Sequence, residues 1–143
     1  MLSSPAPLRA LIVDDNTVNR MVAAEMLESH GITTAEAEDG YAGWSLLRER
    51  KYDVVLLDIS MPGIDGRTLC RKVRESELNA DSFIVAYTAH AFPAQRQAFL
   101  STGFDALLVK PVSYDGLAET IRPILGDADG NDADDAGRSL DFL

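Results

Sequence analysis

Four apolar runs in this chain each stop at a polar residue. Ala10-Leu11-Ile12-Val13 stops at Asp14-Asp15, Val54-Val55-Leu56-Leu57 at Asp58, Phe83-Ile84-Val85-Ala86-Tyr87 at Thr88, and Ala106-Leu107-Leu108-Val109 at Lys110. Short runs without polar alternation suit strands covered by helices on both faces, as in a parallel sheet. Packing gives such a strand no reason to end in an acid or an ammonium. Asp can open a turn, but the carboxyl ends of strands are also where open α/β sheets carry their sites.

Between the runs the period becomes helical. From Thr17, Val18, Met21, Val22 and Met26 share one apolar face at i, i+3, i+4 and i+8, the pattern of a helix laid on a core, and Gly31 is a stop signal. Thr33 to Ala37 is a weaker strand whose polar Thr34 and Glu36 suit a sheet edge. Asp39-Gly40 turns the chain into a helix over about 41–50, with Trp44 and Leu47 inward. Asp65 is placed to cap a helix over about 66–75. A further helix runs from about Pro93 to Thr102 before Gly103, and a last one follows Ser113 as N-cap. Pro123 predicts that this last helix ends or kinks near Arg122. Five β-α units with right-handed crossovers imply a doubly wound parallel sheet, flavodoxin-like (βα)5, in strand order 2-1-3-4-5.

A chain of 143 residues is most simply one domain. Residues 8–125 form it, after a lead-in over 1–7 and before an acidic tail over 126–143 that is expected to be disordered. The tail's Asp-x-Asp spacing does not make a calcium loop, because Asp132 stands where an EF-hand needs glycine. The formal charge of −10 argues against nucleic-acid binding as the main activity. The single cysteine, Cys70, excludes an internal disulfide framework and, with no signal-peptide pattern or membrane-length apolar run, suits a cytoplasmic setting. The sequence ends 18 residues past Leu125, so no DNA-binding output module is expected within it.

In a parallel sheet the four strand ends lie at one edge, which brings Asp14, Asp15, Asp58, Thr88 and Lys110 together. Each alone has an ordinary explanation as turn, cap or solvated end; their convergence in one topology does not. Three clustered acids repel one another unless a cation is present. An all-oxygen donor set without His or Cys selects a hard cation, Mg²⁺ or alternatively Mn²⁺. Acid, hard cation, hydroxyl and lysine together suit phosphoryl transfer with a carboxylate as nucleophile. Neither a Gly-x-x-x-x-Gly-Lys-Ser/Thr nor a Gly-x-Gly-x-x-Gly loop occurs, which argues against a nucleotide. His30 reads as a cap or surface residue and Cys70 as packing.

The stretches Val13-Asp14-Asp15-Asn16, Leu57 to Gly66, Thr88-Ala89-His90-Ala91 and Val109-Lys110-Pro111 resemble the receiver domain of two-component response regulators, over about residues 8–125. Asn16-Thr17-Val18-Asn19-Arg20 and Thr88-Ala89-His90-Ala91 resemble most the receivers of hybrid histidine kinases and phosphorelays. The resemblance implies that Asp58 accepts a phosphoryl group from phosphohistidine on a histidine kinase or histidine phosphotransfer protein. It implies that Asp14, Asp15, Asp58 and the Ser60 carbonyl hold Mg²⁺, that Thr88 and Lys110 bind the phosphoryl group, and that Lys110-Pro111 is cis. Ser60 and His90 would tune its lifetime, with plain surface as the alternative for His90. Weak homodimerisation through the last two helices and the strand between them is a further implication, set against the shortening expected at Pro123.

Leu107 departs from the pattern, since most receivers carry Tyr or Phe there and turn that ring inward on activation. Tyr87 is a substitute in sequence only, because its strand position points it to the other face. Activation is therefore expected to be read through the loop after Thr88 and the last helix. The competing readings are a phosphorylation-independent interaction module, a phosphatase of the haloacid dehalogenase type and a flavodoxin. The phosphatase would want an acid where Ser60 stands; the flavodoxin lacks its Ser/Thr/Gly-rich phosphate loop.

Overall fold

The computed structural model describes residues 7–61, 63–89 and 93–129. Its elements alternate as β1 (Arg9–Val13), α1 (Thr17–Glu28), β2 (Thr33–Ala37), α2 (Gly40–Glu49), β3 (Val54–Asp58), α3 (Gly66–Arg74), β4 (Phe83–Thr88), α4 (Pro93–Thr102), β5 (Ala106–Val109) and α5 (Tyr114–Asp129). The strands form one parallel sheet in the order β2-β1-β3-β4-β5, as the alternation requires. β2, the polar strand, is at the edge.

Continuous apolarity in the central strands follows from burial on both faces. Leu11, Val13, Val55, Leu57, Ile84, Ala86 and Leu107 pack on one side with Leu47, Leu69, Val73 and Phe99 of α2, α3 and α4. Ala10, Ile12, Val54, Leu56, Val85, Tyr87 and Leu108 pack on the other with Ala23, Ala24, Leu27, Leu117 and Ile121 of α1 and α5. Every residue of β3 is buried.

The helix starts are capped at Asp65 and Ser113 as expected, and also at Asn16 and Asp39. Asn16, Asp39 and Asp65 accept from the backbone N–H three residues on, at 2.9, 2.8 and 2.9 Å, and the Ser113 hydroxyl accepts from Gly116 N at 3.0 Å.

Two expectations require correction. The inner face of α1 is Ala23, Ala24 and Leu27, whereas Val18 is 65% and Met21 59% exposed, with Val22 and Met26 half-buried. Apolar residues cover much of this helix, so periodicity alone admits either rotation. Arg20 settles it: its guanidinium donates to the Asp14 carbonyl at 2.7 Å and pairs with Glu36 at 3.1 Å, and the small alanines pack on the sheet. Likewise, of the end or kink expected near Arg122, the end does not occur: α5 continues through Pro123 to Asp129. The proline costs one helix hydrogen bond, and the half-buried Ile124 and Leu125 behind it hold the helix against the core. The helix thus takes in residues 126–129, which the sequence assigned to the tail; the disorder expected of 130–143 lies outside the described residues.

Close packing also shapes the turn after β3. A Cβ on Gly66 would stand 2.6 Å from the Asp58 carbonyl oxygen and 3.0 Å from Ile59 Cα. Gly31, by contrast, has φ +80° and open space around it. Gly31→Ala should therefore cost about 1 kcal/mol from backbone conformation alone. Gly66→Ala should cost about 2–3 kcal/mol because backbone must move beside the strand end. Urea denaturation of the two variants checks this, and equal losses would remove the close approach as the reason for glycine at 66.

Candidate functional site

The register brings the strand ends together. Val13 lies opposite Leu57, so Asp14 follows alongside Asp58, while Asp58 lies opposite Tyr87 and Thr88 opposite Val109. Each end is tied to its neighbour by backbone: Asp14 N to Ala37 O at 3.1 Å, Ile59 N to Tyr87 O at 3.1 Å, and Lys110 N to Thr88 O at 2.8 Å. Asp14, Asp58 and Thr88 are buried, Asp15 is exposed and Lys110 half-buried. The Lys110–Pro111 peptide is cis.

The carboxylates of Asp14, Asp15 and Asp58 each offer an oxygen, all within 4.8 Å of one another. Lys110 Nζ lies 3.3 Å from Asp14 Oδ2 and 3.3 Å from Asp58 Oδ2. Asp58 Oδ1 accepts from Ser60 N at 3.1 Å, and Asp14 Oδ1 from Asn16 N at 2.8 Å. Asp14 Oδ2 is buried and accepts no hydrogen bond from the described residues; the nearby ammonium is its compensation. Among the described residues, three carboxyl groups face one ammonium, which leaves this edge with an excess of acid. A buried oxygen without a hydrogen bond, within an all-oxygen set of excess negative charge, fits a hard divalent cation.

The sequence placed Asp14, Asp15, Asp58, Thr88 and Lys110 at one edge, and all five are there. Ser60 sits in the turn beyond Asp58 with its side chain exposed, and His90 lies outside the described residues. Leu107 is buried on the α2–α4 side with Phe99 and Phe104. His30 is half-buried and stacks on Tyr114, ring centroids 5.2 Å apart, rather than standing free at the surface. Cys70 is buried, and burial pushes its thiol up to about 11, against the reactivity of a thiolate. The roles of Arg20 and Tyr87 were not legible as site features. Arg20 holds the Asp14 carbonyl, and the Tyr87 ring lies 4.8 Å from Lys110 Nζ.

Burial pushes the Asp58 carboxyl up to about 6; Lys110 and the Ser60 amide oppose this, and Asp14 adds to it. Its folded value therefore lies above the ordinary 3.8, and the folded state binds the extra proton between those two values. Stability from this group falls as pH rises through that window, and the full penalty is present above about 6. Asp58→Asn keeps an acceptor for Ser60 N but carries no charge. Without divalent cation it should melt higher than the parent at pH 8, by an equivalent of about 1–3 kcal/mol, and the two should converge near pH 4. Equal melting temperatures at pH 8 would show that ionised Asp58 carries no such penalty.

The family model for the response regulator receiver domain matches residues 10–122. Sensor protein GacS of Pseudomonas syringae pv. syringae is 41% identical over 123 residues, covering 84% of this chain and 14% of GacS. Sensor histidine kinase RcsC of Escherichia coli (strain K12) is 34% identical over 111 residues, covering 78% of this chain and 12% of RcsC. The chain thus spans about an eighth of the length of these relatives. Among solved structures, the receiver domain of sensor histidine kinase PA1611 from Pseudomonas aeruginosa PAO1, with a magnesium ion coordinated in its active site cleft, is 30% identical with a TM-score of 0.74, covering 82% of this chain and 97% of that one. Chemotaxis protein CheY4 of Vibrio cholerae superposes with a TM-score of 0.78 at 26% identity, covering 84% of this chain and all of CheY4. Strand order, the acid-rich edge and the family match over residues 10–122 agree, and the chain belongs to the response regulator receiver domain family.

Proposed function

We propose that this receiver takes a phosphoryl group from a phosphohistidine onto Asp58, in a Mg²⁺-dependent step of a two-component phosphorelay, and signals by protein contact. The observation that carries the reading is the Asp58 carboxylate at the end of a wholly buried strand, with Asp14, Asp15 and Lys110 around it. The rigid strand aims a carboxylate oxygen at the phosphorus. A P–O bond forms as the P–N bond to the donor imidazole breaks, and the imidazole keeps the electron pair and takes up a proton. Asp14, Asp15, Asp58 and the Ser60 carbonyl would hold Mg²⁺, which when bound supplies positive charge against the phosphoryl oxygens. Lys110, already 3.3 Å from Asp58 Oδ2, pairs with a phosphoryl oxygen, and the Thr88 hydroxyl donates to another. Positioning and electrostatics account for such a step with little other machinery.

Ser60, beside the site, and His90 are assigned to the control of hydrolysis. The donor is a histidine kinase or histidine phosphotransfer protein, in keeping with the sensor histidine kinases to which this chain is similar. The exposed Val18 and Met21, at the start of α1 just beyond Asp15, offer that donor apolar contact area.

Incubation with acetyl phosphate and Mg²⁺, followed by intact mass measurement, should show a single phosphoryl adduct. The adduct should be absent from Asp58→Ala and when EDTA removes the metal. Failure to form it with acetyl phosphate or with a phosphorylated histidine phosphotransfer domain would favour a phosphorylation-independent interaction module. Catalytic turnover of a phosphate ester would instead indicate a phosphatase.

A further inference from the structure

Lys110 is held from two directions. On one side its ammonium meets Asp14 and Asp58, each at 3.3 Å. On the other it lies 4.8 Å from the centroid of the Tyr87 ring. Tyr87 is 1% exposed and belongs to the core on the α1 and α5 side. The ammonium therefore meets both carboxylates and an aromatic face. The neighbouring Thr88 carbonyl holds the Lys110 backbone from the same strand, at 2.8 Å.

We propose that Tyr87 is a positioning residue for Lys110, seating the ammonium at the mouth of the acid cluster and keeping it there as its partner changes from carboxylate to phosphoryl oxygen. This rests on the phosphoacceptor reading for its consequence, although the seating itself does not. An ammonium on a four-carbon stem is mobile, and salt bridges to two acids alone would let it follow either one. An aromatic face attracts a cation over its whole area. The ammonium can therefore slide from Asp58 Oδ2 toward an arriving phosphoryl oxygen without leaving the ring. Pointing away from the Leu107 side does not disqualify Tyr87, because Lys110 reaches over the strand end to meet it.

Two measurements on the full chain test the assignment. The first needs no phosphorylation. In a carbon–proton correlation spectrum, ring current should shift the Lys110 ε-methylene protons upfield in the parent and in Tyr87→Phe. They should return to ordinary lysine positions in Tyr87→Leu. Unchanged shifts across all three would overturn the seating.

The second is the rate of adduct formation with acetyl phosphate and Mg²⁺, in a cycle of Tyr87→Leu and Lys110→Ala. Tyr87→Leu should slow the reaction about threefold to tenfold, and Tyr87→Phe should keep most of the parent rate. In the Lys110→Ala background Tyr87→Leu should add nothing, since its effect passes through the lysine. The same slowing in both backgrounds, or none in either, would overturn the proposal and leave Tyr87 a packing residue. If Tyr87→Leu melts well below the parent, Tyr87→Met supplies the same contrast with a flexible apolar filler. Should the parent form no adduct, the phosphoacceptor reading falls, and the methylene shifts alone decide the seating.

Discussion

Two carboxylates, Asp14 and Asp58, end adjacent buried strands with one lysine between them, and much of the structure serves to hold that arrangement. Buried acids are expensive unless paired, and one ammonium does not balance the buried Asp14 and Asp58 with the exposed Asp15 beside them. The raised Asp58 carboxyl and the unbonded Asp14 oxygen are the two local signs of that cost. A fold meets such a cost from its surroundings, here a sheet apolar on both faces and fixed in register by its neighbours. The excess negative charge that burdens the bare protein is what would favour a divalent cation there.

The supports are distributed around the edge. Arg20 binds the Asp14 carbonyl and orients α1. The close seat of Gly66 sets the turn beyond Asp58. At the opposite end of the sheet, Asn79 accepts from Tyr52 N and donates to the Leu47 and Arg50 carbonyls, closing the approach to β3. Arg74 joins the end of α3 to the turns before β4 and β5 through the carbonyls of Gly103, Ala80 and Ser82 and the carboxylate of Asp105. The Asn79 and Arg74 bonds hold loops on which the strand geometry depends, and none of them touches Asp14, Asp15 or Asp58.

Leu107 and Tyr87 show how strand parity divides the labour. They lie on neighbouring strands with side chains on opposite faces, Leu107 among Phe99 and Phe104 and Tyr87 toward α1 and α5. Position 107 carries an aliphatic side chain in this protein, and the ring at the site, Tyr87, comes from the other face. That ring meets the lysine at the start of the turn that leads into α5.

Strand identity, helix caps and the edge position of β2 were legible in the sequence because they depend on local patterning: apolar runs, Asx residues at helix starts and polar alternation. The five residues at the carboxyl edge were legible as well, since parallel topology sends every strand end to one place. The inward face of α1 was not, because its large side chains Val18 and Met21 suggested one rotation while Arg20 and the small Ala23 and Ala24 imposed another. Nor was the length of α5, where packing beyond Pro123 outweighs a local breaker. Residue order determined which groups share the edge. Only the tertiary structure decided how they face one another, because the Lys110–Tyr87 contact and the Asp58 environment depend on side chains that cross strands and meet far from their neighbours in sequence.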